Sequence, residues 1–153
     1  NTGANDAYVR IRVMIPSAAN NDFVAVKDGG VITNMWCGTA LKGADGKQPE
    51  FQHGDRGVAW PVVEQGVTKD GVTYDVYTFT RNEPLKAGAM TEWNVWNYIG
   101  INQKATSADI QKAIDAGAIT ATDNTMTLNV LVEADAIQAE GFADAAAAWA
   151  AFK

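Results

Sequence analysis

The sequence predicts a mostly β chain, an antiparallel jelly-roll-like sandwich with two short helices at about 105–117 and 141–152. Three observations lead there. Apolar and polar residues alternate with a period of two over several short stretches. Clusters of Gly, Asp, Asn and Pro punctuate those stretches at close intervals. Strands do not alternate with long helical segments, as a parallel α/β sheet would require.

The elements follow in order. Asn1-Thr2-Gly3 is turn chemistry. Over 7–15, Val9, Ile11, Val13 and Ile15 fall on one face of a strand and Tyr8, Arg10, Arg12 and Met14 on the other, with Pro16 as the stop. A polar loop over 17–22 follows, then a short strand over 23–26, a turn at Asp28-Gly29-Gly30 and a strand over 31–36. The segment 38–57 holds Gly43, Gly46, Gly54, Gly57 and Pro49 and is the most loop-like. The apolar run 58–63 is broken by Pro61, which places it at a sheet edge.

Asp70-Gly71 is a strong hairpin signal and joins 62–67 to 72–80. In the second arm Val72, Tyr74, Val76, Thr78 and Thr80 share one face and Thr73, Asp75, Tyr77, Phe79 and Arg81 the other. Aromatics on both faces predict a strand buried on one side and partly covered on the other. A turn over 84–88 leads to an aromatic strand over 92–101, with Trp93, Trp96 and Tyr98. Between 107 and 116 the period becomes helical, with Ile110, Ala113, Ile114 and Ala118 on one stripe. Thr106 or Ser107 caps that helix, Asp109 suits its first turn, and Gly117 its end. Residues 125–133 read as one strand, with Met126, Leu128, Val130 and Val132 alternating against Thr127, Asn129, Leu131 and Glu133. The alanine-rich close, with Trp149, reads as a helix.

Composition narrows the function classes. The 153 residues suit a single domain, and 47% hydrophobic content supplies a core. A net charge of −6 with scattered Lys and Arg speaks against nucleic acid or an anionic membrane as the partner. No apolar stretch reaches the ~18 residues of a membrane span. The single cysteine, Cys37, forms no intrachain disulfide and reads as a small buried apolar residue among Met35, Trp36 and Leu41.

Catalytic and metal signatures are sparse. A Ser-His-Asp or Cys-His site would have to use His53, the one histidine, which reads as an exposed loop residue. The sequence contains neither Gly-x-Ser-x-Gly, His-Glu-x-x-His nor Cys-x-x-Cys. Asp45, Glu50 and Asp55 share a loop without the spacing of a calcium loop and read as solvated charges. The expectation is no enzyme, no metal and no cofactor. Trp93 and Trp96, three apart on a strand, point to opposite faces and cannot pave one platform. The tryptophans read chiefly as core or subunit-interface residues.

Three stretches carry a resemblance. They are the opening NTGANDAYVR (1–10), DGVTYDVYTFTRNEPLKAGAMTE (70–92) with its Pro84-Leu85-Lys86-Ala87-Gly88 turn, and the closing EADAIQAEGFAD (133–144) with Trp149. In this order they resemble the TasA/camelysin family, bacterial surface proteins exported with a SipW-type signal peptide. The resemblance implies a jelly-roll domain, secretion to the extracellular space or cell surface of a bacterium, and a matrix or filament subunit. It also implies that an N-terminal segment of the precursor precedes Asn1, so that the opening is an internal turn-to-strand junction. Some relatives are labelled metallopeptidases; without a zinc signature, that activity is not carried over.

The expected function is therefore a non-enzymatic, secreted structural subunit of an extracellular fibre or biofilm matrix. It would self-associate through sheet edges in a donor-strand-like manner, with its own copies and an assembly-accessory protein as partners. The alternative is a surface adhesin or carbohydrate-binding module, with Trp36 and Trp60 as glycan contacts.

Overall fold

A computed structural model describes residues 1–20, 27–28, 31–32, 62–90 and 105–152. The chain is mostly β, with antiparallel pairing throughout the described sheets. In order the elements are β1 (Ala7–Pro16), α1 (Ser17–Asn20), β2 (Lys27–Asp28), β3 (Val31–Ile32), β4 (Val62–Lys69), β5 (Val72–Thr80), α2 (Ser107–Asp115), β6 (Ile119–Thr122), β7 (Thr125–Leu128), β8 (Leu131–Gln138) and α3 (Ala145–Ala151).

Among the described residues the main sheet has the order β4-β5-β1-β8, and β2-β3 and β6-β7 form two separate two-stranded sheets. β1 is paired on both sides: Arg10 to Pro16 lie opposite Thr80 to Tyr74, and Ala7 to Met14 opposite Gln138 to Leu131. The β4-β5 turn has Asp70 at φ 51° and Gly71 at φ 82°. Positive φ at both central positions is the type I′ geometry that matches strand twist, and it selects Asp-Gly.

Both faces of the sheet are covered, as the paired aromatics of β5 predict. On one face Val13, Ile15, Tyr77 and Phe79 pack with Ala19 of α1, Ala113 of α2, Ala118 and Ile119. On the other, Met14, Tyr74 and Val76 form one cluster with Val67, Val72 and Leu131. Tyr8 forms a second there with Ala145 and Ala148 of α3. Each large side chain so buried contributes about 1.5–3 kcal/mol.

α2 begins with a reciprocal cap. The Asp109 N–H donates to Thr106 Oγ1, and the Thr106 N–H donates to Asp109 Oδ2. It ends at Gly117, φ +72°, where an added Cβ would lie 3.2 Å from Val72 Cγ2. The Ala118 N–H donates back to the Ala113 carbonyl, closing the last turn. α3 is capped by Asp144, which accepts from the Ala147 N–H and so starts the helix at Ala145, where the alanine run begins.

Three expectations need correction. The loop read over 17–22 contains α1, so there are three helices among the described residues rather than two. Its anchor is Asp75, buried on β5, which accepts from Ser17 Oγ at 2.7 Å and Asn20 Nδ2 at 2.5 Å. The single strand read over 125–133 is two: β7 ends at Leu128, and β8 starts at Leu131 in another sheet. The break is at Asn129, whose side chain donates to Gly117 O and Thr120 Oγ1 and whose N–H donates to Ala118 O. Those bonds turn the backbone out of the ladder. β6, paired with β7, was not anticipated. The strands read over 23–26 and 92–101 lie outside the described residues.

Two substitutions test this packing by denaturant unfolding. Ile15→Ala is expected to lose about 2–5 kcal/mol, whereas Val132→Ala, at a position 55% exposed, should stay within about 0.5 kcal/mol. Asp75→Ala should cost about 2–4 kcal/mol by removing the acceptor of the half-buried Ser17 hydroxyl and one of the two acceptors of the buried Asn20 amide, and Asp75→Asn, which keeps an acceptor, should cost less.

Candidate interaction surface

Among the described residues, β4 and β8 each have one neighbour in the main sheet, and so form its outer strands. An outer strand presents backbone N–H and C=O groups that its own sheet does not pair. The two differ in how they are protected. β4 shifts register between Glu64 and Val67, a bulge that interrupts its ladder. β8 keeps an unbroken register with β1 over all eight residues. Along β8, Leu131, Glu133, Asp135 and Ile137 are half-buried, while Val132, Ala134, Ala136 and Gln138 are exposed. Six large hydrophobic residues are exposed among the described ones, and three of them (Val62, Val63 and Val132) lie on these two strands. The sequence placed 58–63 at an edge because of Pro61, and Val62 and Val63 do sit on an outer strand.

The charged groups of the sheet run across one face. Arg10 Nε donates to Asp135 Oδ2 at 2.8 Å, and Arg12 reaches both Asp135 and Glu133 at 3.2 and 3.0 Å. Lys69, at the end of β4, donates to Glu133 of β8. That last pair spans the sheet. In a flat sheet the two strands would be three spacings apart, ~14 Å, and the registers would add about six residues, ~20 Å. Twist and coiling must fold one corner over the other for these side chains to meet. The hydrogen bond from the Lys69 ammonium holds the Glu133 carboxyl below the usual carboxylate range; burial opposes it, and the Arg12 charge adds a smaller lowering. The Arg10 guanidinium also lies 4.4 Å from the centre of the Trp149 ring and 4.9 Å from that of Phe152, which fastens α3 to the sheet.

The start of the chain is tied to the 84–90 segment. Ala7 and Leu85 exchange backbone hydrogen bonds of 3.0 and 2.8 Å, and the Gly88 N–H donates to Asn1 O. The Asn1 side chain donates to Leu85 O and accepts from the Gly3 N–H, confirming a turn at the opening. The Asp6 carboxyl is held low by Lys86 Nζ and the Ala87 N–H. Beside it lies an open cleft of about 500 Å³, lined in part by Asn5, Asp6, Tyr8, Pro84, Glu140 and Phe142. The three stretches that carry the resemblance thus meet around β1: one holds its first four residues, one bonds to Ala7 and contains β5, and one covers most of β8 together with the Asp144 cap and Trp149 of α3.

The residues proposed as glycan contacts, Trp36 and Trp60, lie outside the described residues, as do Cys37, His53, the 38–57 segment, Trp93 and Trp96. Among the described residues no helix is long and apolar enough to cross a membrane. The charge ladder was not read from the sequence; its signal was Arg10 and Arg12 two apart on a strand, matched by Glu133 and Asp135 two apart on another.

The pairing of Glu133 has a pH signature. With its carboxyl lowered in the folded state, its contribution is full above the unfolded carboxylate range, near ~4.3, and is lost as pH falls through that range and below it. Glu133→Gln should therefore flatten the acid side of the stability profile relative to the parent, measured as denaturation midpoints between about pH 6 and pH 3. Equal slopes would mean that the pair contributes nothing.

No family model, no curated protein and no solved structure matches the chain.

Proposed function

We propose that this chain is a non-enzymatic structural subunit of an extracellular fibre or biofilm matrix, secreted by a bacterium, which self-associates through the edges of its antiparallel sheet. The observation that carries the reading is the pair of outer strands, β4 and β8, with half of the exposed large hydrophobic residues among those described. Strand addition at such an edge gains ladder hydrogen bonds and covers those side chains. The resemblance to the TasA/camelysin family agrees with this reading, and the meeting of its three stretches around one strand supports it. A jelly-roll-like sandwich is the finer fold proposed, supported by a coiled antiparallel sheet that carries a layer on each face. An assembly-accessory protein belongs to the same proposal as a partner.

Electron microscopy of the purified full chain over a range of protein concentration and pH tests the reading. Fibres or sheet-like assemblies are expected. Val132→Lys, which puts a charge on an exposed outer-strand position, should suppress assembly while leaving the unfolding midpoint of the monomer nearly unchanged. A chain that stays monomeric under all conditions would overturn the proposal.

A further inference from the structure

The cleft of about 500 Å³ beside Asp6 lies where three segments are bonded to one another. The Ala139 N–H donates to the Asp6 carbonyl, and the Asp6 carboxylate accepts from the Ala87 N–H and from Lys86 Nζ. A tight turn shapes the side nearest α3. The Phe142 N–H donates to the Ala139 carbonyl, and Gly141, at φ +91°, takes the left-handed third position of a type II turn. Glu140 and Phe142 are thereby held against the cleft. Walls fixed in this way keep the cost of ordering a site on binding low.

The floor of the cleft is Tyr8. Its ring is 5% exposed and packs with Ala145 and Ala148 of α3. A tyrosine buried to this degree ordinarily bonds its hydroxyl to the protein. Here the hydroxyl has no hydrogen-bond partner among the described residues, and its oxygen is not sealed from solvent. Phenylalanine would fill the same space, so packing does not account for the hydroxyl.

The neighbouring groups define what that hydroxyl can meet. The Asp6 charge is already balanced by Lys86. Glu140 accepts from Gln138 through Oε2, and its Oε1 is left open among the described residues. Asn5 adds an amide, half-buried Phe142 and Pro84 add an apolar side, and none of the described lining residues is cationic. An anion would meet Glu140 without compensation. A simple cation would find one carboxylate paired and the other in solvent, where an ion pair contributes little. An uncharged molecule that is rich in hydroxyl donors and apolar on one ring face uses every group: it donates to Glu140, exchanges hydrogen bonds with Asn5 and Tyr8, and lays its C–H face on Phe142. Sugar rings have that make-up.

We propose that this cleft binds an uncharged saccharide, with Tyr8 and Glu140 as hydrogen-bonding contacts and Phe142 as the apolar one. The site is separate from Trp36 and Trp60, and it does not depend on the assembly of copies.

An array of neutral gluco-, manno-, galacto- and N-acetylglucosamine oligosaccharides, beside uronic acid and hexosamine oligomers, tests the full chain. Binding to a neutral oligosaccharide is expected. In solution titration with that oligosaccharide, Tyr8→Phe should weaken binding roughly fivefold with no change in unfolding midpoint, since only an unpartnered hydroxyl is lost. Phe142→Leu, which keeps an apolar side chain without the ring, should also weaken it. An array without a neutral hit, or one dominated by the acidic or amino sugars, would overturn the assignment. Neutral binding that both variants leave at parental strength would overturn the cleft as its site.

Discussion

Every described part of this fold other than the β2-β3 hairpin leans on β1, directly or through one intermediary. The strand is hydrogen-bonded along both edges and covered on both faces, so its residues have no freedom to shift register. A slip by one position would exchange Val13 and Ile15, which face α2, with Arg12 and Met14, which face the charge ladder. Such a slip would drive a guanidinium into the apolar layer and move two fully buried aliphatic side chains onto the face that carries the arginines. The alternation over ten residues therefore does more than form a strand. It sets β5 and β8 at fixed heights, and with them the layer on each face.

The charges of the sheet follow from the same strand. Arg10 and Arg12 are held two apart on one face of β1, and β8 answers with Asp135 and Glu133 at matching heights. Partly exposed pairs of this kind contribute little individually. Their arrangement has a structural consequence instead: Lys69 reaches the same carboxylate from the far edge of the sheet, and that contact is possible only because the sheet is coiled. The ladder also leaves the two outer strands unlike in charge and in regularity, one bulged and carrying a lysine, the other unbroken and acidic.

Legibility in the sequence followed the locality of each signal. β1, the Asp70-Gly71 hairpin and α2 were readable because period, turn chemistry and caps act over a few residues. α1 was not readable, since four residues without helical periodicity are held by Asp75, 55 positions from Asn20. β6 offers Thr120, Ala121 and Thr122, all exposed, and no apolar alternation to reveal it. The break at Asn129 was hidden because its side chain acts through partners nine and twelve residues away. Of the candidate surface, Pro61 flagged one edge, while nothing local distinguished β8 as the other.

By itself the sequence determined that the chain is mostly β, that its sheets pair in the antiparallel sense, and which residues of β1 and β5 share a face. Those properties rest on side-chain period and turn geometry, which are written locally. Only the tertiary structure decided which of the described strands are outermost, how Lys69 comes to meet Glu133, and where the strand run past 125 divides. Those outcomes depend on contacts between residues far apart in the chain, and the free energy of such contacts is settled only when the sheet closes around its central strand.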